Sequence, residues 1–515
     1  MENLSLVDFC VIKKVMKKIT ITLRRFVLFT LLVLVITGCA PRPDPDNTAE
    51  MARVYGECTY AINTSMLGLP VIDSSDQRHQ MIQQIVDELI TTRYSNFPWK
   101  VHTQVFDHPI PNAFTTGGGY LAAFSGVYAM ADDEAALAGV IAHELSHMAT
   151  IDTMEIAQYL ERMLALRIQQ GGLDEEYEAG TALKIVVDFC LAIPGLVNPK
   201  WKNDLVVEEN MEVNATFGDK TVPHIPYTYS QDPESAYYAL LRDPAGRALN
   251  STCNRGDDGT DQNENDEFIV INPDYYLTSY PDAASLPPIP DGLGGGLGGL
   301  PTAEALWKAD PWLQFQQTAF MRYAECQADE GSMLNLFASG YNPLALNQSF
   351  SRMLTMFDMD EKSSDWRFIN HPSLGQRIED NRTFIENNND VLPTLDEIEN
   401  PNSPFHSFVA LADQVEQFEV ERDGAREALF GTTDVAVARP VEAAEGRLRE
   451  MSMEDFTPIT VADLAMVLIE EFSQQKQRAA KSTSEKSADD AQCDVFSAVY
   501  KKLTGKDSVA CLPVN

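Results

Sequence analysis

The stretch DDEAALAGVIAHELSHMAT, residues 132–150, decides the fold. It predicts a helix from Glu134 to Thr150, because Gly139 alone interrupts a run of residues that favour helix. Two aspartates precede the helix, where a carboxylate can cap free backbone N–H groups and interact favourably with the helix dipole. An apolar stripe predicts that one side of the helix is buried, and it consists of Leu137, Val140, Ile141, Leu145 and Met148.

The same helix contains a metal-binding motif. His143 and His147 are four residues apart, so their side chains share one face of the helix, and Glu144 lies between them in sequence. Two imidazoles at this spacing can bind zinc, and the adjacent glutamate can act as the general base of a hydrolase. The chain has eight histidines, and such a chain contains this motif by chance about once in a hundred sequences. The motif therefore needs independent support.

A second predicted helix provides that support. The sequence from Pro311 to Ser339 is helical in pattern, and Gly340 ends it. Within this helix Glu325 can be the third metal ligand. Asp329, four residues further on the same face, can accept the free N–H of a ligating imidazole and so orient the ring. The alternative is that both carboxylates belong to a solvated acidic face, which an acidic chain often has.

Several motifs follow one another in a characteristic order. They are Asn112-Ala113-Phe114, Gly117-Gly118-Gly119-Tyr120, the helix with the two histidines, Glu325 to Asp329, and His371-Pro372 with Arg377. This order resembles that of the HtpX-, Oma- and CAAX-prenyl-protease-type zinc metallopeptidases, the family numbered forty-eight among metallopeptidases. The resemblance extends over residues 76–380 and is greatest to the periplasmic members without transmembrane helices.

The resemblance implies a fold and an activity. The fold would be α+β and mainly helical, with a zincin-like metallopeptidase domain and a small β-sheet. The strand from Tyr120 to Tyr128 would form the sheet edge along which an extended substrate peptide pairs. Residues 117–119 either shape this edge or are simply a flexible glycine turn. One Zn2+ per chain would be bound by His143, His147 and Glu325, and Glu144 would activate the attacking water.

Two further residues have open roles. By resemblance, Arg377 would donate to the oxyanion that forms during peptide hydrolysis; alternatively it is a surface arginine paired with Glu379 or Asp380. His371 would occupy the fourth zinc position as a switch that holds the enzyme latent, or it is a hydrogen-bonded core histidine.

The beginning of the chain predicts a lipid anchor. Basic residues precede an apolar run from Phe26 to Ile36, and Ile36-Thr37-Gly38-Cys39 resembles a bacterial lipobox. Residues 1–38 would be a lipoprotein signal peptide, and Cys39 would be lipidated. Residues 39–50 would form a proline-rich tether. The lipid would hold the protein on the periplasmic side of the cell envelope, at the outer membrane. An ordinary signal peptide or an N-terminal anchor helix is the alternative.

Charge and cysteine content agree with that compartment. The net charge of −37 excludes nucleic acid as a partner, and it argues against a body lying flat on anionic lipid. The chain has eight cysteines, and the six that follow Cys39 would lie in an oxidising compartment, where disulfides can form. We expect a bridge between Cys493 and Cys511 and another between Cys58 and Cys253. Cys326 would pack or form a disulfide rather than bind the metal.

The remaining sequence predicts a catalytic domain followed by a smaller part. Residues 51–390 would be the peptidase domain, and residues 194–310 would be an acidic, glycine-rich, partly disordered insertion within it. Residues 391–515 would form a helical C-terminal module. This module either docks a substrate or partner or stabilises the domain. Other expected elements are helices at 76–92, 153–170, 174–192 and 404–429, a helix opened by Thr460, a last short helix, and a strand at 99–106.

The sequence thus predicts a zinc endopeptidase that acts on extended or misfolded proteins in envelope quality control. The alternative is a catalytically latent assembly factor for outer-membrane proteins that keeps the peptidase fold and uses zinc structurally. The intact Glu144 favours the first, because a scaffold would not need it.

Overall fold

The structure is a computed structural model. It describes residues 41–43, 48–92, 97–150, 179–205, 215–217, 220–222, 249–253, 311–356, 373–400, 412–430, 461–479, 488–506 and 511–512. The signal peptide, Cys39, the helix expected at 153–170, most of the insertion, and His371 with Pro372 lie outside these residues and stay predictions.

The described part is mainly helical. Its helices are α1 (Thr48–Leu67), α2 (Gln77–Leu89), α3 (Val127–Met130), α4 (Glu134–Thr150), α5 (Ala179–Ala192), α6 (Pro311–Ala338), α7 (Ala345–Met356), α8 (Leu374–Asn387), α9 (Leu395–Glu399), α10 (Ala412–Phe430), α11 (Val461–Ala479) and α12 (Ala488–Thr504). Its strands are β1 (His102–Phe106), β2 (Ala113–Gly117), β3 (Tyr120–Phe124), β4 (Ala215–Phe217) and β5 (Lys220–Val222). This composition confirms an α+β fold.

Helix α4 lies in the centre of the main core, where it packs against α2, α6, α7 and β2. Its bounds agree with the prediction. The Asp133 carboxylate accepts a hydrogen bond from the Ala136 backbone N–H at 2.9 Å, which is the expected cap. Leu137, Ile141 and Leu145 are fully buried, so the apolar stripe does face the core.

Two glycines let neighbouring helices approach α4 closely. A Cβ on Gly139 would lie 2.6 Å from the Leu346 backbone nitrogen in α7. A Cβ on Gly331 in α6 would lie 2.9 Å from the Ser146 hydroxyl of α4. These contacts set the spacing of the helices around the two histidines.

The main sheet has the strand order β1-β3-β2, with β3 parallel to β1 and antiparallel to β2. One face, with Leu121 and Ala123, joins the main core beneath α4. The other face forms a second apolar cluster of Tyr60, Phe106, Phe114, Tyr120, Ala122 and Phe124.

The strand expected from Tyr120 to Tyr128 is shorter, and it is not an edge. It ends at Phe124 because the chain turns at Ser125 and Gly126 and starts α3 at Val127. Since β3 has partners on both sides, its backbone is not available to a substrate peptide.

The glycine turn between β2 and β3 has a structural reason. Gly117, Gly118 and Gly119 all have positive φ, which other residues rarely adopt. A Cβ on Gly118 would lie 2.4 Å from the Ala52 carbonyl oxygen of α1. The turn is therefore packed against α1.

Most other predicted elements are found with shifted ends. Asp76 caps α2, and α6 begins at Pro311 and ends before Gly340, which has positive φ. The strand expected at 99–106 begins at His102, and Trp99 instead forms an isolated bridge with Leu205. The last helix, α12, has 17 residues rather than being short.

Helices α11 and α12 pack on α1 and α5, and their apolar residues are part of the main core. The Leu512 backbone N–H also donates to the Ala192 carbonyl at 2.8 Å. The last two described helices are therefore part of the main core.

Three disulfides join the described residues: Cys58–Cys190, Cys253–Cys326 and Cys493–Cys511. The bridge expected near the C-terminus is present. The expected bridge between Cys58 and Cys253 is wrong, because α5 brings Cys190 against α1, whereas Cys253 lies against α6. None of the described helices has both the length and the apolar composition needed to cross a membrane.

The close crossing of α4 and α7 predicts the effect of a single methyl group. Gly139→Ala should lower the free energy of unfolding by about 1–3 kcal/mol, because the new Cβ meets rigid backbone. Gly424→Ala is the matched control, since Gly424 is an exposed helical glycine whose Cβ would meet nothing within 4 Å. It should raise that free energy by about 0.5–1 kcal/mol. Urea unfolding measures the free energy of unfolding of each variant. Equal changes in Gly139→Ala and Gly424→Ala would contradict the close contact of α4 with α7.

Candidate metal centre

Helix α4 presents two histidines to a buried site. His143 is 7% exposed and His147 is 9% exposed, and their ring centroids are 4.6 Å apart with the planes nearly perpendicular. The four-residue spacing on one helix face explains why the two rings are neighbours. Glu144, between them in sequence, is partly exposed, so its carboxylate can meet a solvent molecule or a substrate.

Helix α6 brings a carboxylate to both rings. One oxygen of Glu325 lies 3.2 Å from Nε2 of His143, and the other lies 3.3 Å from Nε2 of His147. Glu325 is only 3% exposed. The three residues predicted as metal ligands are therefore together, and their ligand atoms all lie within 4.8 Å of one another.

Asp329 has the orienting position that its spacing from Glu325 predicted. Its carboxylate lies 2.9 Å from Nδ1 of His143. When Nδ1–H donates to this carboxylate, the lone pair of Nε2 is on the side of Glu325, where a metal would be bound. The hydrogen bond thus selects the ligating tautomer of His143.

Arg377, on α8, pairs with the two carboxylates of α6. Its Nε and one terminal nitrogen donate to Asp329 at 2.7 and 2.6 Å, and the other terminal nitrogen lies 3.1 Å from Glu325. The guanidinium also stacks on Phe350 of α7, 4.2 Å from the ring centroid. Arg377 is 5% exposed, so the alternative of a surface arginine paired with its own helix is wrong.

The electrostatics of the site follow from burial and these pairs. Burial acts to lower the pKa of His143, but hydrogen bonds to Asp329 and Glu325 and their charges outweigh it and raise this pKa to about 9 without metal. Burial acts to raise the pKa of Asp329, but the charge of Arg377 and its hydrogen bonds keep this pKa below its usual range. Burial raises the pKa of Glu144.

The ligand set fits zinc. Two imidazoles and one carboxylate, with a further carboxylate orienting an imidazole, are the donors that catalytic zinc sites use, and three protein ligands leave one position open. A second group, Cys253, Cys326 and Glu330, is also close enough to hold a metal. Its two sulfurs are bonded to each other, so they are not available as ligands in this state.

Two contributors were missed from the sequence. Ser373 caps α8 by accepting the Gln376 backbone N–H at 3.3 Å, and so fixes where Arg377 enters the site. A serine three residues before a glutamine is a recognisable cap signal. Phe350, which supports Arg377, has no local signal of this role. His371, the possible fourth ligand, lies outside the described residues.

The sheet edge nearest to the site is β2. This strand packs against α4, and no described strand pairs with its other side. The Phe124 N–H donates to the Asn112 carbonyl at 2.9 Å, so the backbone of Asn112 faces β3. Along an antiparallel strand, the N–H and C=O groups of successive residues point to alternate sides. The N–H and C=O groups of Ala113 and Thr115 therefore point away from β3.

Comparison with known families supports a metallopeptidase. Residues 76–200 match the model of peptidase family M48. The matched range contains the main sheet and both histidines of α4, and it ends before Glu325 and Arg377. The match supports membership of this family of zinc metallopeptidases. The comparison with curated proteins gave no match.

The raised pKa of His143 predicts how metal binding depends on pH. Below about pH 9 the metal-free His143 is protonated, and zinc binding should then release about one proton from it. The apparent zinc affinity should rise with pH until that proton is lost. Calorimetric titration at neutral pH in buffers of different ionisation enthalpy measures the proton release.

The Asp329→Asn variant is the control, because it removes a charge that raises the His143 pKa. It should release fewer protons than the wild-type chain. An observed binding enthalpy that is the same in every buffer would show that His143 is already neutral.

Proposed function

We propose that this chain is a zinc-dependent endopeptidase with a zincin-like catalytic domain. The observation that carries the proposal is the convergence of His143, His147 and Glu325, with Asp329 holding the ring of His143 and Glu144 beside the ligands. The sequence match over residues 76–200 supports the same assignment.

The chain's own residues account for the proton transfers. Bound zinc would supply a Lewis acid that lowers the pKa of water towards about 7 and polarises a carbonyl. Glu144 takes a proton from the attacking water, and its raised pKa makes it a stronger base than an exposed glutamate. It then returns the proton to the amine that leaves.

Arg377 contributes a buried positive charge to the site. The charge lies against Glu325 and Asp329, so it holds both carboxylates in position. We propose that it also favours the negative charge that develops on the carbonyl oxygen, because a fixed charge in a site shielded from water acts strongly.

The substrates we propose are extended or misfolded protein segments. An extended peptide could pair with the backbone of Ala113 and Thr115 on β2, next to α4. Such strand pairing recognises the peptide backbone more than its side chains, which suits a quality-control protease with many substrates. We place the protein in the bacterial cell envelope, attached by lipid at Cys39, on the lipobox-like sequence alone.

Two substitutions test the proposal. Glu144→Gln should keep zinc and lower the rate of casein hydrolysis by roughly 10²–10⁴-fold, because the general base is lost. Glu325→Ala should lose most of the zinc and the activity while the fold remains. Glu379→Ala on the exposed side of α8 is the matched control and should change neither.

The measurements are zinc content by mass spectrometry and hydrolysis of labelled casein by the purified chain. Full zinc retention in Glu325→Ala would move the third ligand elsewhere, with His371 the first residue to examine. Unchanged hydrolysis in Glu144→Gln would contradict the mechanism. A zinc-loaded wild-type chain that never hydrolyses protein would favour the latent assembly factor instead.

A further inference from the structure

Helix α6 carries two pairs of side chains with the same spacing. Glu325 and Asp329 face α4 and the metal centre. Cys326 and Glu330 are each one residue further, which turns them by about 100° around the helix. The second pair therefore faces a different neighbour while sharing the same helical turn as the ligand Glu325.

That neighbour is a short part of the insertion, residues 249–253. Cys253 is bonded to Cys326. Glu330, only 1% exposed, accepts hydrogen bonds from the Ser251 hydroxyl at 2.8 Å, the Thr252 backbone N–H at 2.6 Å and the Thr252 hydroxyl at 2.8 Å. A buried carboxylate is costly without such donors, so it specifies where the segment docks.

The same segment also holds α8, the helix of Arg377. The Asn250 backbone N–H donates to the Asn388 side chain at 2.8 Å, and the Asn388 amide donates back to the Asn250 carbonyl at 3.0 Å. Leu249 is buried in the main core. Residues 249–253 thus tie together the two helices that supply Glu325 and Arg377.

The bridge that closes this connection lies nearer to solvent than Cys58–Cys190. Cys326 is partly exposed, whereas Cys58 and Cys190 are completely buried. Exchange with a thiol requires access to a sulfur atom, so Cys253–Cys326 should open before Cys58–Cys190.

We propose that Cys253–Cys326 is a redox-sensitive clamp that positions Glu325 for metal binding. The proposal rests on the zinc site assigned above. With the bridge closed, residues 249–253 hold the turn of α6 that contains Glu325 against α8. With the bridge open, the segment can leave, Glu330 loses three hydrogen bonds, and Glu325 is held less firmly, so zinc dissociates faster.

The opening step is a thiol–disulfide exchange with a dithiol. A thiolate of the dithiol attacks one cysteine sulfur, the Cys253–Cys326 bond breaks, and a mixed disulfide forms. The second thiol of the reagent displaces the remaining cysteine. The protein gains two electrons and two protons as two thiols, and the dithiol leaves as a disulfide.

The test measures the rate at which zinc leaves the loaded full chain, using a chromophoric chelator. The double variant Cys253→Ser with Cys326→Ser should release zinc about tenfold faster than wild type, the size expected when a residue that supports a ligand is lost. The matched control is Cys493→Ser with Cys511→Ser, which removes a bridge remote from the metal centre and should leave the rate unchanged.

A reductant arm uses dithiothreitol. It should raise the wild-type rate to that of the Cys253→Ser, Cys326→Ser variant and should not accelerate that variant further. This comparison separates opening of the bridge from capture of zinc by the dithiol. If the double variant does not fold, as judged by circular dichroism, Glu330→Gln with the bridge intact takes its place and should also accelerate release.

The outcomes separate the clamp from the metal site. If the wild-type chain binds zinc and releases it at the same rate as the double variant, only the clamp is overturned. The same holds for Glu330→Gln where that variant replaces the double variant. Uptake of a second zinc on reduction also overturns it, because the two thiols would then be metal ligands. A wild-type chain that binds no zinc overturns the proposed function and the clamp with it.

Discussion

The buried ion pair between Arg377 and Asp329 is the interaction on which the centre of this molecule depends. Burying either charge alone would be strongly unfavourable, because each loses its hydration. Together they make two short hydrogen bonds, and the next groups extend the network: Asp329 to His143, and Arg377 to Glu325. The network links α4, α6 and α8, so the metal ligands are ordered by the same contacts that neutralise the buried charges.

Close packing of helices is the second requirement. The network works only if α4 and α6 are near enough for Glu325 to reach both histidines. Gly331 permits that approach, and Gly139 permits the approach of α7, which carries the Phe350 ring beneath Arg377. The absence of a side chain at these two positions therefore decides whether the charged groups meet. The disulfide from residues 249–253 to α6 adds a covalent constraint at the same place.

Features that depend on local periodicity could be predicted from the sequence. The bounds of α4 and the shared face of Glu325 and Asp329 follow from helical spacing and capping alone. Features that depend on distant packing could not be derived from local spacing. The spacing left Arg377 either at the active site or paired with carboxylates on its own helix, and burial brings it to Asp329, 48 positions away. The central place of β3 depends on which strands meet after folding, and the pairing of Cys253 with Cys326 is one of many that the spacings allow.

The central claim is that zinc is bound by two imidazoles and the Glu325 carboxylate. X-ray absorption at the zinc edge on the purified chain tests it most directly. The account predicts a shell of nitrogen and oxygen ligands only, at about 2.0–2.2 Å. Sulfur ligands at about 2.3 Å would contradict it, because they would place the metal at Cys253 and Cys326 instead.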